Sequence, residues 1–390
     1  MLNFDYQNPT RIVFGQGSTA KLARMVPQRA RVLVLYGGGS VRSNGTLADV
    51  LDALKQNGQR YVAEFAGIEP NPTFETLMKA VQQVRQEQID FLLAVGGGSV
   101  IDGTKFVAAA ARLQDHEDPW SILETHGRVV QAAMPFGAVL TLPATGSEMN
   151  AGGVVTRAAT QDKLSFSSRL LYPQFSVLDP VRTYSLPERQ VANGVVDAFV
   201  HTMEQYLTYP VDARVQDRWA EGILRTLVEI GPDAVHKTDD YDTRANLVWS
   251  ATMALNGLIG AGVPQDWATH MIGHELTALH GIDHGRTLAI VLPAVMQVRR
   301  EAKRAKLLQY ADRVWDIREG SEEERIDAAI AKTRAFFESL GVPTRLADYQ
   351  LGAEAIDPII AALDKHEMTQ LGEKQDITLE ISREILQAAL

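Results

Sequence analysis

The chain has 390 residues, enough for two domains at the usual length of roughly 100–200 residues each, and its hydrophobic fraction of 45% is ordinary for a globular protein. A formal net charge of −10 argues against nucleic-acid or anionic-membrane partners, because both attract a basic surface. The complete absence of cysteine excludes disulfides and thiolate chemistry, so any metal must be held by histidine and carboxylate ligands.

The N-terminal segment shows no targeting pattern. Residues 1–15 lack a basic stretch followed by an apolar run, so they do not resemble a signal peptide. No window reaches the roughly 18 consecutive apolar residues of a transmembrane helix. We therefore predict a cytoplasmic enzyme without a membrane or nucleic-acid partner.

The first half of the chain alternates strand and helix patterns. The pattern predicts a strand and glycine turn over 31–40, a helix over 46–58, a strand over 60–65, a helix over about 74–88 capped by Thr73, and a strand–turn–helix unit over 90–111. This order predicts a parallel, Rossmann-like sheet covered by helices. Short β segments over 137–184 are expected to add strands or a hairpin at one edge.

After Pro187 the pattern becomes almost wholly helical. Helical spacing covers 188–207, 212–230, 242–257, 265–280, 285–300, 303–316, 321–340 and 378–389. We place the domain boundary near Leu186, which gives an α/β domain over 1–186 and an all-α domain over 187–390.

Two Gly-Gly-Gly-Ser turns follow predicted strands, at 37–40 and 96–99. Glycines let backbone N–H groups approach a phosphate, and a following helix N-terminus favours its negative charge. Neither turn fits the common G-x-G-x-x-G fingerprint, because Arg42 and Ile101 stand where the third glycine should be. Tight turns without a ligand would look similar, but two on neighbouring strand ends suit a ligand with separated phosphates. Asp102 is expected either to cap locally or to reach toward that ligand.

The first turn also indicates which dinucleotide binds. A carboxylate after this strand would hydrogen-bond a ribose 2′-hydroxyl and repel a 2′-phosphate. The residues that follow Tyr36 contain no carboxylate, and Arg42 lies close behind. The sequence therefore favours NADP over NAD.

Residues 265–285 hold four histidines, of nine in the chain, at 270, 274, 280 and 284. His270 and His274 project from one helix face, and His284 follows just before a glycine. Unrelated surface or core histidines are the alternative to a metal site, a proton relay or both.

A second segment strengthens the metal interpretation. Asp197 and His201 are four residues apart on a predicted helix, so an oxygen and a nitrogen ligand share one face. One aspartate with three histidines makes a complete ligand set for Zn²⁺ or Fe²⁺. The metalloprotease motif H-E-x-x-H is absent, because position 278 is alanine.

Four motifs in order resemble the iron-containing (group III) alcohol dehydrogenase family. They are GGGSVID at 96–102, TLPATGSE at 141–148, Asp197-x3-His201 and His270-x3-His274-x9-His284. The resemblance runs through almost the whole chain and is greatest to the NADPH-dependent aldehyde reductase and butanol dehydrogenase branch.

That resemblance implies a dehydroquinate synthase-like architecture, with the active site in a cleft between the two domains, and a homodimer. It implies that the metal ligands are Asp197, His201, His270 and His284. It places His274 beside substrate and nicotinamide, and it gives His280 no role. It implies contacts to NADP(H) from Gly38, Gly39 and Ser40 at the 2′-phosphate, Asn71 at the adenosine ribose, Gly97, Gly98 and Ser99 at the pyrophosphate, and Asp102, Thr141, Thr145, Ser147 and Lys163 on the nicotinamide side.

The expected activity is reduction of small aldehydes to primary alcohols, and the reverse oxidation, by hydride transfer assisted by one divalent metal, Zn²⁺ or Fe²⁺. His274 is expected to relay the proton. Two other functions stay open. The same architecture suits a lyase or cyclase that uses metal and nicotinamide without net redox change, and a sensor could bind NADP(H) without turnover.

Overall fold

The chain folds into two units. We describe a computed structural model over residues 1–58, 61–114 and 116–390. The sheet unit comprises Gln7–Leu186 and Thr238–Val248, and the helical unit comprises Met1–Tyr6, Pro187–Lys237 and Trp249–Leu390. The predicted division at Leu186 differs from these units in two segments. Residues 1–6 belong to the helical unit, and residues 238–248 belong to the sheet unit.

A six-stranded parallel sheet forms the centre of the sheet unit. The strands of this unit are β1 (Arg11–Phe14), β2 (Arg31–Tyr36), β3 (Tyr61–Phe65), β4 (Phe91–Gly97), β5 (Phe136–Leu142), β6 (Gly152–Arg157), β7 (Asp162–Ser167) and β8 (Phe175–Leu178). The sheet has the order β1-β8-β5-β4-β2-β3, and every pair in it is parallel. The predicted parallel sheet is confirmed; Arg60, the predicted first residue of β3, lies outside the described residues.

The central strands are apolar along their length because both faces of the sheet are covered. On β2, Leu33 and Leu35 join one apolar core, whereas Val32 and Val34 join a second core. Successive side chains of a strand point to opposite faces, so these two cores are the two layers between sheet and helices.

The helices of the sheet unit include those predicted over 46–58, about 74–88 and within 90–111, together with two short helices that the pattern did not predict. They are α1 (Ser40–Ser43), α2 (Thr46–Gln56), α3 (Phe74–Gln86), α4 (Gly98–Ala110) and α5 (Ser121–Glu124). The Thr73 cap is confirmed, since its hydroxyl accepts the backbone N–H of Thr76. Short 3-10 helices lie in both units at Ser18–Arg24, Ser147–Met149, Arg169–Leu171, Pro180–Thr183, Leu346–Tyr349 and Ala353–Ala355.

The β segments over 137–184 correct one expectation. β5 is an interior strand between β4 and β8, and the edge on that side is β1, which the pattern did not predict; β3 is the opposite edge. Gly137 makes this possible, since a Cβ there would lie 2.3 Å from the Phe175 ring on the neighbouring β8. The β6–β7 hairpin is a separate antiparallel sheet that packs against α4.

Every helix predicted after Pro187 is present, and most of them lie in the helical unit. Its helices, with α8 continuing from the sheet unit, are α6 (Glu188–Tyr206), α7 (Arg214–His236), α8 (Tyr241–Ala254), α9 (Ala268–His280), α10 (His284–Val298), α11 (Arg304–Trp315), α12 (Glu322–Ser339), α13 (Ile356–Lys365) and α14 (Leu379–Ala388). α13 was not predicted, and a two-strand ladder of β9 (Gln370–Leu371) and β10 (Ile377–Thr378) interrupts the all-α pattern. No helix in the described ranges is long and apolar enough to cross a membrane.

Helix α6 is the central element of this unit. From residue 194 to residue 206 every residue is buried, and α6 packs against α7, α9 and α10. A helix buried on all sides is normally apolar throughout. Its buried Asp197, His201 and Glu204 therefore need specific partners, which are the starting point of the candidate site.

Candidate active site

Helix α6 presents three polar side chains to one buried region. Asp197, His201 and Glu204 are separated by four and three residues, so they lie on one helix face. The Asp197 and His201 side chains are only 4% and 5% exposed. Carboxylate and imidazole groups this deeply buried indicate a polar site.

Helices α9 and α10 bring two more histidines to Asp197. The Nε2 atoms of His201, His270 and His284 lie 3.6, 3.9 and 3.7 Å from Asp197 Oδ1. A tetrahedral ion about 2.1 Å from each ligand atom separates neighbouring ligands by about 3.4 Å, so the arrangement fits a divalent metal. Asp197, His201 and His270 form a compact group whose candidate ligand atoms lie within 4.8 Å of one another, whereas His284 approaches Asp197 but is not part of this group.

The start of α10 positions His284. Asp283, just before this helix, accepts hydrogen bonds from Arg189 Nε and Asn193 Nδ2 of α6, both at 2.8 Å. Gly285 lies so close to α6 that a Cβ there would be 2.5 Å from the Asn193 carbonyl oxygen. These contacts hold His284, the next residue, against α6, the helix that carries Asp197.

His274 lies beside this group, and His280 does not join it. The His274 ring centre is 5.1 Å from that of His284 and 6.3 Å from that of His270. The side chain is buried. His280 ends α9, where burial lowers the pKa of its imidazole.

Glu204 contacts His270 on the side away from Asp197. Its Oε1 accepts the backbone N–H of His270 at 3.0 Å and lies 3.1 Å from the ring Nδ1. Burial and the nearby Asp266 carboxylate raise the pKa of Glu204. The sequence interpretation did not include this residue, although its spacing from His201 places it on the ligand face.

A buried ion pair supports the start of α9. Lys303 Nζ lies 2.6 Å from the Asp266 carboxylate and 3.0 Å from that of Glu373. Asp266 Oδ1 accepts the backbone N–H of Ala268, the first residue of α9. The intervening Trp267 has the left-handed φ of 66°, a conformation that a non-glycine residue adopts only when its surroundings hold it there.

In the sheet unit, the two glycine turns are neighbours. They follow β2 and β4, which pair directly, with β3 on the other side of β2. The direction in which successive strands are added to the sheet therefore reverses between β2 and β4. Ligands of open α/β sheets bind at such a reversal, outside the carboxyl ends of the strands. Gly38, Gly39 and Ser40 lie in the first turn, where Gly39 has a φ of 131° that a side chain would disfavour.

A carboxylate stands beside the first turn after all. Glu64 of β3 accepts hydrogen bonds from Arg42 Nη2 at 2.9 Å and from the Tyr36 hydroxyl at 2.7 Å. Arg42 also donates to the Tyr36 hydroxyl. The residues that directly follow Tyr36 contain no carboxylate, as the sequence showed, but the neighbouring strand contributes one that is 28 residues away from Tyr36 along the chain.

Three residues predicted to contact the cofactor come together at the second turn. Lys163 Nζ donates to Asn71 Oδ1 at 2.9 Å, and the Asn71 backbone N–H donates to Ser99 Oγ at 3.3 Å. Asn71 adopts a left-handed φ of 56°. The hairpin, the loop before α3 and the first turn of α4 thus meet at one place.

A second group surrounds Asp102, whose carboxylate faces protein partners. It accepts hydrogen bonds from Ser147 Oγ at 2.5 Å and from the Val154 backbone at 3.0 Å. Burial raises the pKa of Asp102, although the Lys105 cation and the hydrogen bonds oppose this rise. Lys105, which the sequence interpretation missed, donates to Ser147 Oγ at 2.8 Å and Asn150 Oδ1 at 2.9 Å, and burial lowers its pKa to about 8.

The TLPATGSE segment packs directly onto the second turn. A Cβ at Gly98 would lie 2.4 Å from Thr145 Oγ1, so only glycine fits there. Gly97 is the last residue of β4, and Gly98 begins α4. Thr141 lies in β5 and is buried. The backbone of the turn is thereby fixed by its neighbours before any ligand binds.

Comparison with known proteins follows the same division of the chain. The family model described as "Iron-containing alcohol dehydrogenase" matches residues 9–180, and "Fe-containing alcohol dehydrogenase family, C-terminal" matches residues 191–390. The chain belongs to the iron-containing alcohol dehydrogenase family. As a member of this oxidoreductase family it is an enzyme, and the resemblance inferred from its motifs is confirmed.

Relatives in this family share its full length. The chain is 63% identical over 389 residues, covering 100% of each chain, to the "NADPH-dependent aldehyde reductase YqhD" of Escherichia coli. It is 42% identical to "Probable NADH-dependent butanol dehydrogenase 1" of Bacillus subtilis, covering 92% of each chain. The crystal structure of "NADH-dependent butanol dehydrogenase A" from Thermotoga maritima has a TM-score of 0.94 at 37% identity, covering 100% of this chain and 99% of that one. The predicted fold class is confirmed.

Proposed function

We propose that the protein reduces aldehydes to primary alcohols with NADPH, and catalyses the reverse oxidation, using one divalent metal. The observation that carries this proposal is the convergence of three imidazole Nε2 atoms within 3.6–3.9 Å of one buried Asp197 oxygen. The 63% identity to an NADPH-dependent aldehyde reductase supports the reaction and the coenzyme.

We assign the metal ligands as Asp197, His201, His270 and His284. When bound, the metal supplies a Lewis acid that polarises the aldehyde oxygen. The ligand set suits Zn²⁺ and Fe²⁺, and the general affinity order favours zinc where both metals are present. The protein's contribution is to hold these four side chains in place before the metal arrives.

The chain also binds and orients NADPH, which supplies the hydride. We assign Gly38, Gly39 and Ser40 to the 2′-phosphate, where the nearby Arg42 adds a positive charge. Backbone N–H groups at the start of α4 suit a pyrophosphate. The remaining contacts are assigned to Asn71, Gly97, Gly98, Ser99, Asp102, Thr141, Thr145, Ser147 and Lys163.

His274 is the proposed proton relay. Its ring lies 5.1 Å from the ring of the proposed ligand His284, so it lies next to the metal site without being one of its assigned ligands. An imidazole there can pass a proton from water to the developing alkoxide, because its pKa is ordinarily near neutrality.

The test is an aldehyde panel with NADPH and NADH, run on protein whose metal content has been measured. We expect steady NADPH consumption with butanal. His270→Ala should lose metal and activity together, whereas His274→Ala should keep the metal and lose rate. A His270→Ala protein that is fully active without metal would refute the ligand assignment.

The same experiment separates the alternatives. A non-redox lyase or cyclase would not consume NADPH steadily, and a sensor would show no turnover and an empty metal site in fresh protein. We also propose a homodimer and a cytoplasmic location, with residues 1–186 as the dinucleotide-binding domain and 187–390 as the metal-binding and substrate domain. The family resemblance supports the dimer, and light scattering coupled to size exclusion tests it.

A further inference from the structure

We propose that Glu204 is a positioning residue of the metal centre, which orients the His270 ring so that Nε2 is presented to the metal. This inference rests on the proposed ligand set. It adds a residue that does not touch the metal but determines how tightly the metal is held.

The contacts of Glu204 fix both the place and the tautomer of His270. The same oxygen, Oε1, accepts the backbone N–H of His270 at 3.0 Å and lies 3.1 Å from its Nδ1. Because Glu204 Oε1 accepts the backbone N–H, it is an acceptor toward His270. The ring proton of His270 is therefore on Nδ1, which donates it to the same oxygen. The opposite nitrogen, Nε2, then keeps its lone pair and lies 3.9 Å from Asp197 Oδ1.

Glu204 is itself held rigidly. It lies on the same helix as Asp197 and His201, so all three move as one body. Its backbone carbonyl accepts the N–H of Asp266 at 2.8 Å, and its carboxylate accepts the backbone N–H of His270 at 3.0 Å. Glu204 therefore joins α6 to the segment that begins α9, the helix that carries His270.

A second buried pair in the same unit provides a matched control. Glu275 of α9 contacts His366 Nδ1 at 2.7 Å, and its side chain is 2% exposed, like that of Glu204. Neither Glu275 nor His366 is a proposed ligand. Glu275→Gln replaces a buried carboxylate beside an imidazole by a neutral amide, and it leaves the contact made by His270 unchanged.

The first readout is metal affinity, independent of activity. Metal-free wild type, Glu204→Gln and Glu275→Gln are titrated with Co²⁺, followed by its visible spectrum, and with Zn²⁺ by competition with a chelator. We expect Glu204→Gln to bind metal about 10–100-fold more weakly and to show an altered Co²⁺ spectrum, because the neutral amide is a weaker acceptor than a carboxylate and its NH2 group, when turned toward His270, cannot accept at all. Glu275→Gln should retain the wild-type affinity and spectrum.

The second readout needs no variant at Glu204. In metal-free wild type labelled with ¹⁵N-histidine, the His270 nitrogen shifts, assigned by comparison with His270→Gln, report which ring nitrogen carries the proton. We expect the Nδ1–H form. If Glu204→Gln fails to fold, this measurement decides alone, and the Nε2–H form would overturn the inference.

The outcomes separate the two proposals. Wild type that binds no metal would defeat the proposed ligand set. If wild type binds metal and Glu204→Gln binds it equally tightly, only the positioning role fails. Equal weakening by Glu204→Gln and Glu275→Gln would also overturn that role, because it would show general destabilisation.

Discussion

The close approach of Gly285 to α6 allows a specific test of how His284 is positioned. A Cβ at Gly285 would lie 2.5 Å from the Asn193 carbonyl oxygen, 3.0 Å from its Cα and 3.1 Å from its carbonyl carbon. An ordinary contact is about 3.5 Å, so Gly285→Ala should push α10 away from α6 by about 1 Å. The obstacle is backbone, which cannot rotate aside.

Two effects oppose each other, and their sizes decide the sign. Alanine is favoured over glycine within a helix by about 1 kcal/mol. Overpacking typically costs about 1–3 kcal/mol, and we expect the upper part of that range here because the neighbour is backbone. We therefore expect a net loss of about 1–2 kcal/mol, or roughly 1–2 °C in thermal midpoint for a chain of this length. The same 1 Å shift moves His284 away from Asp197 and should lower the catalytic rate about 100-fold.

The assay is calorimetric unfolding of metal-free protein together with a metal titration. Gly222→Ala is the control, because Gly222 is exposed within α7 and a Cβ there meets no atom within 4 Å. That variant should be unchanged or more stable by up to about 1 kcal/mol. If Gly285→Ala is as stable as Gly222→Ala and binds metal like wild type, the packing argument is refuted.

Three further predictions concern the buried Lys105, the choice of coenzyme and the metal. Burial lowers the pKa of Lys105 to about 8, whereas a lysine in the unfolded chain has a pKa of about 10.4. The buried charge therefore destabilises the fold below pH 8, and this destabilisation is relieved as the pH rises from about 8 to about 10.4. The unfolding free energy of wild type minus that of Lys105→Met should therefore rise by at most about 1.4 kcal/mol per pH unit over that window, and a flat difference would contradict it. Arg42→Gln should raise the KM for NADPH about tenfold and leave the KM for NADH unchanged. Glu64→Gln should lower the KM for NADPH, because the Glu64 carboxylate competes with the 2′-phosphate for the Arg42 guanidinium. Equal changes with both coenzymes would contradict a role of Arg42 in binding the 2′-phosphate. Chelation should lower the thermal midpoint of wild type but not of Asp197→Asn, because a ligand that binds only the folded state stabilises it.

The sequence by itself determined the features that depend on local periodicity. Strand β2, helix α2 and the Thr73 cap follow from side-chain spacing within a few residues, so the sequence predicts them without knowledge of the rest of the fold. The spacing of Asp197 and His201 likewise places both on one helix face. The two glycine turns after two parallel strands were predicted to lie at one edge of the sheet, but that they are direct neighbours was decided by the pairing of β2 with β4.

Only the tertiary structure decided which distant groups meet. The interior position of β5 depends on Gly137 accommodating Phe175, and the place of Glu64 beside Arg42 depends on β3 pairing with β2. Neither contact leaves a local pattern, because the partners are far apart along the chain. The same reason explains Glu204: its spacing was visible on α6, but its role depends on how α9 packs against that helix and turns His270 toward Asp197.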